Sequence, residues 1–154
     1  MSVVTNRIAN LQAEMKKLGV DAVYVNSAEN HLYFSGFDNP DGYVVITFDK
    51  TYLFADSRYI EAAKAEADKS IVVCLPGQPT VKELVHDLGI KSIGYEDERM
   101  TCAGLEGLKR SVGDDKVEYK PMGGLFVEIR SYKTEDEVEN IVAAQRIAEG
   151  AFRH

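Results

Sequence analysis

The sequence has little of what marks secreted, membrane-spanning or nucleic-acid-binding proteins. Its 154 residues include only two cysteines, without paired spacing, which predicts neither a disulfide framework nor a redox centre. No apolar run approaches the roughly 20 residues that span a bilayer, and the first seven residues contain no signal-peptide core. The net charge of −7 argues against nucleic acid as a main partner, because phosphate binding needs a basic face. We therefore expect a cytoplasmic protein without a membrane or nucleic-acid partner.

Motifs that bind metals or nucleotides are also missing. No H-E-x-x-H segment occurs, and neither G-x-G-x-x-G nor G-x-x-x-x-G-K-[ST] is present. The acidic run at residues 96–98 is a candidate pair for acid–base catalysis, but a solvated loop after a strand is the favoured interpretation. The motifs therefore support neither a metal nor a nucleotide site. The chain also has three scattered histidines, for which we expect surface or capping positions: His31, His86 and His154.

Helical and strand patterns alternate along the chain and predict one α/β domain. A first helix over residues 4–18 is followed by a short strand over 21–26. Strands over 43–48 and 52–55 flank a tight turn and predict a β-hairpin, so the sheet is at least partly antiparallel. Neither hairpin strand alternates cleanly, which indicates that both faces of the sheet are covered. Further helices are predicted to begin near residues 27, 57, 80, 101 and 125, and further strands over 71–75, 92–96 and 116–119.

The stretch from residue 51 to 59 contains a candidate site. Asp56 and the serine after it are good N-cap residues, so a helix is predicted to begin there, at the carboxyl end of a strand, where ligands gather in α/β folds. Arg58 then lies in the first helical turn, where a cation is unfavourable by roughly 0.3–1 kcal/mol. It either pairs locally, with Asp56 or Glu61 or by stacking on Tyr59, or is held out to meet an anion such as a substrate carboxylate.

The loop over residues 34–42 is a second candidate. Its run of serine, glycine, asparagine, aspartate and proline has strong turn chemistry. We expect its aromatic residues Phe34 and Phe37 to be exposed. Because loops of this kind often carry function, Phe37 joins the candidate contacts.

The last predicted helix begins with a capping box. Thr134 stands at the N-cap and Glu137 at N3, and three acids in the first turn suit the helix dipole. No stop signal appears before the chain ends, so we expect that the chain is cut here and that the apolar face of the helix packs on a missing segment. That face contains Val138, Ile141, Val142, Ala148 and Phe152.

Four stretches, taken in order, resemble the N-terminal domain of the creatinase/prolidase/aminopeptidase P family. The first is the Gly-Val-Asp-Ala run at residues 19–22, and the second is an N-x-x-Y-x-S-G-F segment at 30–37. The third is a D-x-R-Y junction at 56–59, and the fourth is an R-x-x-K-x-x-x-E connection at 130–137. Each motif alone is weak, but the resemblance covers nearly all 154 residues.

The resemblance implies a three-layer α/β/α fold with a mixed, roughly six-stranded sheet and a ribonuclease H-like motif. Residues 1–131 would form this domain, and residues 132–154 would be a linker helix leading into an absent C-terminal "pita-bread" domain. That catalytic domain would hold two divalent metal ions, commonly manganese, which activate water against the bond before proline. The present chain would then contain no catalytic residue and no metal ligand, and would be inactive alone.

The same resemblance implies the partners of the chain. They are its own catalytic domain, further copies in a homo-oligomer, and proline-containing peptides as substrates of the parent enzyme. Domains of this kind lean over the active site of a partner subunit, so the candidate contacts are Arg58, Phe37, Asp56 and Tyr59. An aminopeptidase P is slightly favoured over a prolidase (Xaa-Pro dipeptidase), and creatinase is less favoured.

Two alternatives from other classes stay open. One is a stand-alone binding or oligomerisation module without catalysis, against which the unterminated last helix argues. The other is a small-molecule-binding domain of the doubly wound type. The predicted hairpin argues against this second alternative, because such sheets are mostly parallel.

Overall fold

The computed structural model of the chain describes residues 2–38 and 41–153. His154, Asn39 and Pro40, on which predictions above also fall, lie outside the described residues. Within those ranges every predicted helix and strand is present, with shifted ends. In chain order they are α1 (Val3–Leu18), β1 (Ala22–Val25), α2 (Ala28–Ser35), β2 (Tyr43–Thr47), β3 (Thr51–Phe54), α3 (Ile60–Glu66), β4 (Ile71–Cys74), α4 (Val81–Asp87), β5 (Ser92–Tyr95), α5 (Cys102–Val112), β6 (Glu118–Pro121), α6 (Leu125–Ser131) and α7 (Glu135–Phe152).

The strands form one mixed sheet in the order β4-β3-β2-β1-β5-β6. β2 runs antiparallel to both β1 and β3, as the hairpin predicts, and the other neighbouring pairs are parallel. β1 and β5 are neighbours, but the chain leaves β1 toward one side of the sheet and β5 toward the other. Their carboxyl ends therefore meet at a topological switch point, the usual ligand crevice of open α/β sheets.

Helices cover both faces of this sheet and complete the predicted three-layer α/β fold. α1, α2, α3 and α6 pack on one face, and α4 and α5 pack on the other. Successive strand residues alternate between the two cores: Val44 and Leu53 lie in the first, and Val45 and Phe54 lie in the second. Because both faces are buried, these strands have apolar residues on both faces, which explains why they lack a polar side.

The helix predicted directly after Asp56 begins later, at Ile60. The Asp56 carboxylate accepts a hydrogen bond from the Arg58 backbone N–H at 3.0 Å, and the Tyr59 N–H donates to the Asp56 carbonyl at 2.9 Å. Asp56 therefore holds a turn rather than capping a helix, which is the competing use of such side chains. The prediction that Arg58 lies in the first helical turn is wrong, because α3 begins two residues after it.

The prediction that Phe34 and Phe37 are exposed is also wrong, since their exposed fractions are 0% and 4%. α2 ends at Gly36, whose φ of +72° is readily adopted only by glycine and turns the chain back toward the sheet. The Ser35 hydroxyl accepts a hydrogen bond from the Phe37 N–H at 3.0 Å and stabilises that turn. Phe37 thus anchors its loop to the first core.

α7 has the predicted capping box, in which Thr134 and Glu137 exchange hydrogen bonds. None of its described residues is buried. Its large apolar side chains are exposed: Val138, Ile141, Val142, Ile147 and Phe152. The apolar face of α7 therefore has no partner within the described residues. No helix in those ranges is long and apolar enough to cross a membrane.

Candidate functional site

Three of the four predicted candidate residues, Asp56, Arg58 and Tyr59, meet at the carboxyl end of β3. The Arg58 guanidinium donates through Nε to Asp56 Oδ1 at 2.8 Å and through Nη2 to Asp41 Oδ2 at 3.0 Å. Its carbon Cζ also lies 5.3 Å from the centre of the Tyr59 ring. The local pairing with Asp56 and Tyr59 is therefore observed, while Glu61 pairs elsewhere, with Lys64.

This cluster remains open to solvent. The Arg58 side chain is 65% exposed despite its two carboxylate partners. Two hydrogen bonds from Arg58 lower the pKa of the Asp56 carboxyl. The bond from the backbone N–H has the larger effect, and the bond from the guanidinium has the next largest. Asp56 thus stays ionised and holds Arg58 at the edge of the sheet, where its remaining N–H groups face outward. The buried Phe37 ring is not part of this exposed surface.

A second polar cluster, which the sequence interpretation missed, lies at the switch point. Glu96 follows β5 directly and is 2% exposed, so the prediction of a solvated loop is wrong for this residue. Its Oε2 accepts the backbone N–H groups of Asn26 and Ser27 at 2.6 and 2.9 Å. Its Oε1 accepts the Ser27 hydroxyl and the Asn30 side-chain amide, both at 2.5 Å.

The Glu96 cluster extends from the sheet to α6. The Asn30 side chain that donates to Glu96 also accepts, through Oδ1, a hydrogen bond from Arg130 Nη1 at 3.0 Å. The void that remains between Asn30, Glu96, Phe126 and Arg130 is about 10 Å³. That space is at the lower limit for one water molecule, so the protein's own side chains fill the switch-point crevice.

His31 is buried beside this region, with 1% of its surface exposed, so the prediction of a surface or capping position is wrong. Its Nδ1 lies 3.0 Å from the Phe37 carbonyl oxygen and must donate there, because a carbonyl cannot donate. Nε2 then carries the lone pair, and among the described residues it has no hydrogen-bond partner. Burial lowers the pKa of His31, and the nearby Asp38 and Glu96 offset this only in part.

Two open grooves lie elsewhere on the domain. One, of about 560 Å³, runs between α1, α6 and the start of α7 and includes Arg7, Tyr33 and Tyr132. The other, of about 500 Å³, lies between the ends of α4 and α5 with Lys82 and Lys116 at its rim. Among the described residues, no group of three or more His, Cys, Asp or Glu side chains is placed to hold a metal ion.

Comparison with known proteins identifies similar chains. A family model described as the creatinase/prolidase N-terminal domain matches residues 7–132. The "Uncharacterized peptidase YqhT" of Bacillus subtilis is 29% identical over 150 residues, which are 96% of this chain and 42% of that protein. A "Probable Xaa-Pro aminopeptidase P" of Coprinopsis cinerea is 30% identical over 142 residues, covering 81% of this chain and 23% of that protein.

A solved structure has the same fold. The Xaa-Pro dipeptidase from Bacillus anthracis superposes with a TM-score of 0.88 at 24% identity, covering 98% of this chain and 42% of that one. The chain therefore spans less than half the length of the three proteins compared.

We expect Glu96→Gln to lower the free energy of unfolding by about 2–4 kcal/mol, because an amide nitrogen replaces an oxygen that accepts two hydrogen bonds. Chemical denaturation followed by circular dichroism measures the change. Glu98→Gln, in the exposed loop two residues on, is the matched control and should change stability by less than about 0.5 kcal/mol. Equal effects of the two substitutions would contradict the structural role of Glu96.

We also expect the buried His31 to make stability depend on pH. Its folded-state pKa lies below the ordinary value of 6.5, so the unfolded chain takes up the proton first and stability is lost as pH falls below 6.5. The loss should approach about 1.4 kcal/mol per pH unit between the two pKa values.

Denaturation of the wild type and of His31→Asn between pH 7.5 and about 5 measures this contribution. Asparagine keeps a donor near the Phe37 carbonyl but is smaller than histidine, so the variant should be less stable at pH 7.5. Because asparagine does not titrate, the stability of the variant should change less with pH below pH 6.5. Parallel pH profiles for the two proteins would show that His31 does not carry the effect.

Proposed function

Because the chain belongs to the creatinase/prolidase N-terminal domain family, we propose that it is the accessory domain of a Xaa-Pro metallopeptidase. The membership confirms the family that the four sequence motifs predict. One relative is named a probable Xaa-Pro aminopeptidase P, and a protein of the same fold is a Xaa-Pro dipeptidase. In both, the matched part is the N-terminal domain of a longer peptidase.

The observation that carries the proposal is the uncovered apolar face of α7. Ile141 and Val142 are 52% and 41% exposed, although a helix of this pattern normally buries such residues. Contiguous exposed apolar side chains mark interaction surfaces. We assign residues 1–131 to the domain and 132–154 to a linker helix whose apolar face packs on a catalytic domain, as the greater length of the relatives supports.

The proposed chemistry belongs to that catalytic domain. It would use two divalent metal ions, with manganese proposed, to activate water for attack on the bond before proline. The described residues of this chain do not fit a metal site, because their acidic and histidine side chains are not grouped. We therefore assign this chain no step of the reaction and expect it to be inactive alone. We also expect the protein to be cytoplasmic.

The role proposed for the domain itself is oligomerisation and covering of the active site. Arg58, Asp56 and Tyr59 are the proposed contacts with substrate or with a partner subunit. An exposed guanidinium held by carboxylates can still bind an anion through its free N–H groups, as a planar donor suits a carboxylate. Phe37 would contribute indirectly, because its buried ring anchors the loop that also contains Asp41, a partner of Arg58.

We expect peptidase activity from the complete protein encoded by the source gene and none from these 154 residues. The assay uses a Xaa-Pro dipeptide and a Xaa-Pro-Yaa tripeptide with manganese, and preference between them separates prolidase from aminopeptidase P. Cleavage by the 154-residue chain would contradict the assignment of catalysis to another domain. If neither protein cleaves the peptides, the stand-alone binding or oligomerisation module is favoured.

We expect Arg58→Ala in the complete enzyme to raise KM by roughly tenfold, as loss of a charge-assisted hydrogen bond predicts, or to dissociate the oligomer. Steady-state kinetics and light scattering measure these changes. Arg110→Ala is the matched control, because Arg110 is an exposed arginine in the last turn of α5. If Arg58→Ala changes neither KM nor oligomer size, Arg58 serves only its own turn.

A further inference from the structure

Arg7 of α1 is the most enclosed cation whose ion pair joins two distant elements. Its side chain is only 16% exposed and packs over the Tyr33 ring, with Cζ 4.0 Å from the ring centre. Nη1 donates to the Tyr33 carbonyl at 3.0 Å, and Nη2 donates to Glu137 Oε1 at 2.7 Å. One planar group on α1 therefore contacts both α2 and α7.

Glu137 is also held on its other oxygen. Oε2 accepts the Thr134 backbone N–H at 2.9 Å, which is one half of the capping box that begins α7. The carboxylate can therefore turn toward Arg7 only in the geometry that the first turn of α7 sets. Because the guanidinium is likewise fixed by Tyr33, the ion pair defines a direction as well as a distance.

Few other contacts hold α7. None of its described residues is buried, and Tyr132 in the connection before it is 76% exposed. Among the described residues, the Arg7–Glu137 pair is the only side-chain hydrogen bond from α7 to the helices that cover the sheet. Apolar burial, which usually orients a helix, is therefore missing here.

The preceding helix is attached to α2 by a similar contact. Arg130 of α6 donates to Asn30, which lies three residues before Tyr33 on α2. Two arginines from different helices thus meet the same short helix, one fixing α6 and one fixing α7. This arrangement leaves the three-residue connection at 132–134 little freedom to change the angle between α6 and α7.

We propose that Arg7 is a positioning residue, which holds α7 in one orientation relative to the sheet. The proposal does not depend on the catalytic function and concerns the 154-residue chain itself. The pair is partly exposed, and ion pairs of this kind add little net stability, so its main effect is on the direction of α7. The same fold has been solved as a separate N-terminal domain, that of the cytoplasmic peptidase PepQ from Mycobacterium tuberculosis, so a domain of this kind can be studied alone.

Residual dipolar couplings of backbone N–H groups in the weakly aligned 154-residue chain test the proposal. In the wild type, couplings from α7 and from the sheet should fit one alignment tensor. In Arg7→Gln, those of α7 should fall by about twofold or more through averaging, while those of the sheet stay unchanged. Arg58→Gln, which removes another doubly paired arginine, is the matched control and should leave α7 unchanged.

A second variant keeps the test decisive if Arg7→Gln does not fold. Glu137→Gln keeps an oxygen for the capping box but removes the charge that meets Arg7, so it should also reduce the α7 couplings. If the sheet couplings change in Arg7→Gln, the result with Glu137→Gln decides. The proposal is overturned if α7 already averages independently in the wild type, or if Glu137→Gln leaves its couplings unchanged.

Discussion

The structure depends most on Glu96, the one buried carboxylate among the described residues. A desolvated carboxylate is costly unless hydrogen bonds replace its water, and here four donors do so. Two of them are the backbone N–H groups of Asn26 and Ser27, which lie where β1 ends and α2 begins. Glu96 supplies the acceptor that these two groups lack there. Through Asn30 the network reaches α6. The crevice that often binds a ligand in α/β sheets is therefore filled by side chains that connect the sheet to α2 and α6.

Local rules predicted most of the fold, and distant contacts account for the errors. The capping box of Thr134 and the hairpin involve neighbouring residues, so the printed sequence contains the whole interaction. Glu96 was predicted as solvated because its partners lie 66–70 residues away. His31 and Phe37 were misplaced for a related reason, since only the packing of α2 on the sheet shows that they are buried. Arg58 was placed in a helix because its turn and a helix start share the same residue types.

The family motifs acquire a physical meaning from these contacts. Asn30 of the second motif meets Arg130 of the fourth, and Tyr33 of the second shares Arg7 with Glu137 of the fourth. The second and fourth motifs, about 100 residues apart, therefore touch directly or share a side-chain partner. The third motif is different in kind, because its arginine is exposed and pairs within its own turn and with the loop that precedes β2. The proposed contact with substrate or a partner is therefore assigned to this exposed arginine.

The Arg7–Glu137 contact also orders events during synthesis. It joins residues 130 positions apart, so α1 emerges from the ribosome long before its partner exists. β6, the last strand, ends at Pro121, so the whole sheet is available before Glu137 is made. Because chains grow from the N-terminus and domains fold as units, the domain can close its core first. The direction of α7 is then selected by a surface that is already folded.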